Sequence, residues 1–159
     1  MSKLNDSMRE FLNGRRYATL ATLNEDGSVH LTPVWYLFEG GRFFVGTGAD
    51  RKLKNVLARP KASLIVDSRE QGSEMWVSAS GSAEVIRGKR SEEINTRIHQ
   101  RYLTGAGLEK IGPVLAAASE AIICLTPDSW RSYDLKSLDD QYFGGTLGQT
   151  PEKWFLPLN

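Results

Sequence analysis

The sequence is sparing with the residues that build metal centres and cross-links: 159 residues contain one cysteine, Cys124, and two histidines, His30 and His99. A lone thiol closes no intramolecular disulfide. Neither histidine stands at ligand spacing from Cys124 or from a carboxylate, so no structural zinc and no metal held by protein groups alone is expected. Cys124 lies in the apolar run 121–125, which suits a buried, inert thiol. Long hydrophobic runs are missing as well. No stretch approaches the ~18 apolar residues of a membrane helix, and Met1-Ser2-Lys3-Leu4-Asn5-Asp6 lacks the apolar segment of a secretory signal, so a cytoplasmic protein with no membrane partner is expected. An excess of one charge is also absent, since 20 Lys+Arg against 19 Asp+Glu leave +1 at pH 7. No global field therefore draws in nucleic acid or acidic lipid, and any anion site must be built locally. No Ser/His/Asp, Cys/His or paired-carboxylate arrangement stands out, which argues against a reaction run by the chain's own nucleophile.

What is present is an ordinary soluble composition, 40% hydrophobic and 25% charged, sized for one domain with one core. Met8, Phe11 and Leu12 recur at helical spacing before Gly14, which predicts a short leading helix that lids one end of the domain. The period then changes to two. Residues 17–23 and 28–38 read as strands around the turn Asn24-Glu25-Asp26-Gly27, and Gly40-Gly41 reverses the chain into 42–47, a three-stranded meander. Leu53, Val56 and Leu57 mark a helix over 50–59 that Pro60 ends, and 62–67 is the next strand. A long strand over 75–85 runs through Gly81, where a bulge or tight bend is expected. Ser91 is a good N-cap for a helix to about Leu103, and a weaker helix covers 108–118 with Pro113 near its start or breaking it. Residues 121–126 form a last core strand, and Pro127-Asp128 bends the chain before 130–135. About six strands with three or four short helices suit a small, mainly β barrel. The tail 136–159 has no clear period and reads as loosely ordered or docked on a partner subunit.

The informative stretch is Gly46-Thr47-Gly48-Ala49-Asp50-Arg51-Lys52-Leu53-Lys54-Asn55. Arg51 and Lys52 fall in the first turn of the predicted helix, where the macrodipole and the free N–H groups disfavour cations. The placement becomes favourable when an external anion docks there, since a phosphate gains from the dipole, the amides and both side chains. Gly46 and Gly48 leave room for a ligand body against the backbone. The plain alternative is a solvated basic face, with Asp50 as the N-cap shielding the first turn.

Together with A-T-L-A-T-L-N-E-D-G-S-V-H-L-T-P-V-W-Y (18–36), F-F-V-G-T (43–47), A-D-R-K-L-K-N-V (49–56) and P-K-A-S-L-I-V-D (60–67), this stretch closely resembles the flavin-binding split-barrel superfamily. That group contains pyridoxamine 5′-phosphate oxidase and smaller flavin- and deazaflavin-dependent reductases. The resemblance implies a six-stranded antiparallel split barrel with peripheral helices over residues 1–135, assembled as a homodimer with a cofactor in each intersubunit groove. It implies an oxidoreductase that uses FMN, or alternatively coenzyme F420, to move a hydride to or from a small organic substrate. Arg51 and Lys52 look like the pair that holds the cofactor phosphate, flanked by Lys54 and Asn55. Thr32, Pro33, Val34 and Trp35 match the strand facing the ring edge, and Thr47 and Gly48 the strand end beneath the ring. Pro33 also reads as an ordinary edge-strand proline. Trp76, Trp130 and Arg131 sit where family members bring side chains from the second subunit. The chain departs from the oxidases proper in lacking their Arg-rich terminal segment: Trp130-Arg131-Ser132-Tyr133-Asp134 leads into a Gly-containing tail, which argues against vitamin B6 as substrate. The competing reading is a flavin or haem carrier that binds without turnover. A barrel for single-stranded nucleic acid is disfavoured, because the basic residues concentrate on one helix.

Overall fold

The computed structural model describes residues 3–158. Helix α1, Asp6–Asn13, is capped by the Asn5 side chain, which accepts from the Met8 amide at 2.9 Å, and it buries Met8, Phe11 and Leu12 in the barrel core. Strands β1 (Ala18–Leu23) and β2 (Val29–Val34) pair around a turn in which Gly27 takes φ 82°. Strand β3 (Leu37–Glu39) turns at Gly40-Gly41 into β4 (Arg42–Thr47). Helix α2 (Arg51–Ala58) leads to β5 (Lys61–Asp67) and the long β6 (Met75–Ile86). Helices α3 (Lys89–Tyr102) and α4 (Gly105–Ala118) precede β7 (Ala121–Asp134). Three short helices follow, α5 (Leu135–Tyr142), α6 (Thr146–Gln149) and α7 (Pro151–Trp154).

All strands join one antiparallel sheet in the order β2-β1-β5-β6-β7-β4-β3. The sheet has seven strands, not the expected six, because the predicted strand 28–38 is broken at Trp35-Tyr36. Tyr36 is fully buried, and two long-range contacts decide its backbone: its amide donates to the Tyr102 hydroxyl at 3.3 Å and its own hydroxyl donates to the Leu12 carbonyl at 2.8 Å. Burial, together with Tyr102, pushes the Tyr36 phenol up to about 12, so it remains a donor. The expected three-stranded meander is likewise not continuous. β2 and β3 are two residues apart in sequence yet lie on opposite edges of the sheet, so the sheet curls until its edges meet at this corner. The result is a half-barrel closed by a dipeptide rather than by a ladder of hydrogen bonds.

Gly81 marks the expected irregularity. Ser80 pairs with Ser129 and Gly81 with Pro127, so Asp128 is the extra residue. A Cβ at Gly81 would strike the Thr126 carbonyl and lie 2.8 Å from the Pro127 Cα. Helix α3 begins earlier than Ser91 because Gly88, at φ 70°, turns the chain. Ser91 sits in the first turn and its hydroxyl donates to the Gly88 carbonyl at 2.9 Å. Pro113 lies inside α4, which starts at a Thr104 cap. The two faces of the curled sheet carry two apolar clusters. Phe43, Val45, Leu64, Ile123 and Trp130 fill the barrel, while Phe44, Ile122 and Cys124 pack outward against Ile94 and Ile98 of α3. The tail folds back on its own chain: buried Asp139 accepts from the Leu147 and Gly148 amides at 3.1 and 2.9 Å, and the Gln71 side chain donates to the Leu156 carbonyl.

Candidate functional site

Where β2 and β4 end, the start of α2 and the inner sides of α3 and α4 enclose a cleft of about 350 Å³, within the range of small-molecule sites. Pro33, Val34 and Trp35 form one wall, and Gly46, Thr47, Gly48 and Lys52 form another. The remaining wall comes from Asn95, Ile98 and His99 of α3 and Leu115, Ala118 and Ser119 of α4.

The floor is set by hydrogen bonds at the end of β4. The Glu120 amide donates to the Thr47 carbonyl at 2.8 Å, tying β4 to the start of β7, and the Thr47 hydroxyl donates to the Asp50 carboxylate at 3.0 Å. Asp50 caps α2 by accepting from the Leu53 amide at 3.3 Å. A Cβ at Gly48 would lie 2.9 Å from the Ala118 carbonyl, so glycine lets α4 close on the strand end. Trp35 is held by stacking on Tyr102, with ring centroids 5.0 Å apart and planes 2° apart, and His99 meets it edge-on at 6.4 Å.

The two cations of the motif part company. Lys52 turns into the cleft, its side chain 12% exposed, and pairs with Asp50. Partial burial raises the Asp50 carboxyl, but hydrogen bonds from Lys52, the Leu53 amide and Thr47 outweigh it and hold the group below the usual range. The repulsion expected of a cation at a helix start is therefore offset within the chain. Arg51 is exposed and shares a shallow pocket with Asn24, Glu25 and Asp26 of the β1–β2 turn. Lys54 is exposed on α2, whereas Asn55 is buried and donates to Thr22 Oγ1 at 3.1 Å and Asn24 Oδ1 at 2.9 Å, bracing the helix on that turn.

Of the remaining expected site residues, Thr32 shares a 2.8 Å hydrogen bond with His30 on β2 and does not line the cleft. Trp76 stacks on Tyr133 across β6 and β7 at 6.3 Å, Arg131 is exposed nearby, and Trp130 lies in the barrel core against Phe38 and Phe43. The structure thus gathers Pro33, Val34, Trp35, Thr47, Gly48 and Lys52 into one cleft and leaves the other seven outside it.

Sequence reasoning missed Asn95 and His99 as part of the site. A signal was available, since Ser91, Asn95, His99 and Tyr102 recur at helical spacing beside Ile94 and Ile98, a polar stripe next to the apolar one. Burial pushes the His99 imidazole below its usual value, which leaves it neutral at pH 7. The Thr47 and Ser119 hydroxyls are committed, Thr47 to the Asp50 carboxylate and Ser119 to the Leu115 carbonyl at 2.9 Å. Burial raises the Cys124 thiol, and it points to the cluster under α3. The arrangement can bind and orient a molecule that has an apolar body and an anionic group, while supplying no nucleophile of its own. Among the described residues, no group of three His, Cys, Asp or Glu is placed to hold a metal ion, and no helix is long and apolar enough to cross a membrane.

Comparison with known proteins shows a family and a shared fold. The family profile described as pyridoxamine 5′-phosphate oxidase matches residues 4–134. Among solved structures, a conserved hypothetical protein, Rv2991 from Mycobacterium tuberculosis, superposes with a TM-score of 0.71 at 23% identity, covering 87% of this chain and 89% of that one. A protein described as an F420 reductase gives 0.64 at 19% identity over 80% of this chain and 98% of its own. The haem storage protein HutZ of Vibrio cholerae gives 0.62 at 14% identity, with coverages of 84% and 95%. No curated protein sequence matches.

Proposed function

The chain belongs to the pyridoxamine 5′-phosphate oxidase family, and on that premise we propose that it is an oxidoreductase whose cleft holds FMN or, alternatively, coenzyme F420. The observation that carries this reading is the convergence of Lys52, the Thr47-Gly48 strand end and the Pro33-Val34-Trp35 strand on one cavity, although they are separated by up to 19 positions in sequence. The donor set fits a phosphorylated tricyclic cofactor in part. Lys52 supplies a nearly buried cation and Gly48 lines the cleft without a side chain, whereas Arg51 stands apart beside the β1–β2 turn. When bound, such a cofactor supplies hydride transfer through its ring system. The chain's contribution is to anchor a phosphate at Lys52, to seat the ring against Trp35 and the strand backbone, and to limit water around it.

We further propose a homodimer. Leu23, Val29 and Leu31 are 40%, 56% and 63% exposed on the outer face of β1 and β2, an apolar surface suited to a second copy. In that assembly Trp76 and Arg131 would reach a cofactor only from the partner subunit.

One observation favours the carrier reading: His99, an imidazole in the cleft, could hold a haem iron, and a structural neighbour is named as a haem storage protein. Titrating the purified protein separately with FMN, F420 and haem, then following reduction of the bound flavin or deazaflavin by a nicotinamide or deazaflavin donor, separates the readings. Flavin or F420 binding with steady-state turnover supports the oxidoreductase. Tight haem binding with no flavin or F420 affinity overturns it.

A further inference from the structure

The α3 wall of the cleft carries an unexplained polar group. Asn95 is 5% exposed, and among the described residues neither its carbonyl oxygen nor its amide nitrogen has a hydrogen-bond partner. Both atoms keep contact with the cleft, so the carboxamide is free to pair with a molecule that occupies it. Gly46 makes room for it, since a Cβ there would collide with Asn95 Oδ1. Gly46 therefore leaves space on β4 for this carboxamide to stand on the cleft wall. One turn along α3, His99 also lines the cleft with no hydrogen bond at either ring nitrogen among the described residues.

A carboxamide presents one acceptor beside one donor, the complement of a lactam or imide in which N–H adjoins C=O. A neutral imidazole adds one more donor and one more acceptor. Among the described residues Lys52 is the only cationic side chain on the lining, so the charged and uncharged parts of the cleft are read by different elements, α2 and α3. We propose that Asn95, supported by His99, is the specificity-determining edge of this site and recognises the imide of the cofactor's ring system. The inference rests on the cofactor reading above. It holds equally for flavins and deazaflavins, which share that imide, and it gives haem, which has none, no purchase on Asn95.

The test compares FMN with FMN methylated at the imide nitrogen, in wild-type protein and in Asn95→Leu, by fluorescence titration. The wild type is expected to bind FMN about tenfold or more tightly than the methylated form. Asn95→Leu, branched at the γ atom like asparagine but larger and without the amide, is expected to lose that preference while unfolding at about the same temperature. A structural role for the amide would instead lower the unfolding temperature. Asn95→Asp, which keeps the acceptor and removes the donor, should also weaken FMN. Equal binding of both ligands by the wild type, or an unchanged preference in Asn95→Leu, overturns the assignment and leaves the cofactor site standing. Failure of the wild type to bind either ligand overturns both.

Discussion

Replacing Lys52 and Arg51 one at a time by glutamine tests which cation serves the cleft. The two are adjacent in sequence and about 100° apart on the helix, and only Lys52 lines the cavity. Its side chain is 12% exposed, so solvent screens it little, and a charge-assisted hydrogen bond to phosphate in such a setting contributes about 1.5–3 kcal/mol. Lys52→Gln should therefore weaken FMN roughly 10- to 150-fold. Arg51 is exposed, where an ion pair contributes about 1 kcal/mol or less, so Arg51→Gln should change FMN affinity by no more than about fivefold. Riboflavin, which lacks the phosphate, provides the internal control: Lys52→Gln should leave its affinity nearly unchanged. The assay is quenching of flavin fluorescence, with circular dichroism to confirm the fold. The fold should survive because Asp50 still caps α2 through the Leu53 amide at 3.3 Å. Equal losses for the two variants, or a Lys52→Gln loss that is the same for riboflavin, would refute the anchoring role of Lys52.

Three further outcomes are expected. Gly81→Ala forces a Cβ against main-chain atoms at the bulge, with Pro127 Cα at 2.8 Å, and should cost about 1–3 kcal/mol, a fall in Tm of roughly 2–12 °C; an unchanged Tm would contradict the packing described. His99 titrates lower folded than unfolded, so its contribution is fully present above the unfolded value of 6.5 and is lost as pH falls from there through the folded value. Denaturant titrations between pH 5 and 7.5, a span chosen about that value, should show stability falling toward acid, and a smaller slope in His99→Gln. The same slope in both would assign the loss to other groups. Finally, the 17.7 kDa chain should sediment at twice its mass, and Leu31→Asp on the exposed face of β2 should shift it toward monomer; a monomeric wild type with cofactor bound would rule out the shared groove.

Most strands were legible because their signals are local. Gly27 and Gly40-Gly41 adopt the positive φ that their turns require, and Asp50 caps α2 as its position suggested. Gly81 sits at the irregularity its place in a strand implied. The break at Trp35-Tyr36 left no local mark, since neither residue is a turn former and the decisive bond, from the Tyr36 amide to Tyr102, spans 66 positions. The site was legible as a set of backbone segments but not side chain by side chain. Nothing in Arg51-Lys52 says which of the two faces inward, and Trp130 points into the barrel because the extra residue Asp128 shifts by one the alternation that Ile123 and Leu125 set along β7. Asn95 and His99 were hidden because the periodic signal of α3 is its apolar stripe, Ile94 and Ile98.

The corner at Trp35-Tyr36 has a mechanical meaning. A cylinder closed by covalent chain alone can gape along its slit without breaking any rung between neighbouring strands. One lip of that slit is β2, and β4 lies one strand in from the other. A molecule gripped at once by Pro33-Val34-Trp35 and by Gly46-Thr47-Gly48 works as a rivet across the gap. Occupancy should accordingly tighten the whole body of the protein, through linkage between binding and folding, rather than only the walls the guest touches.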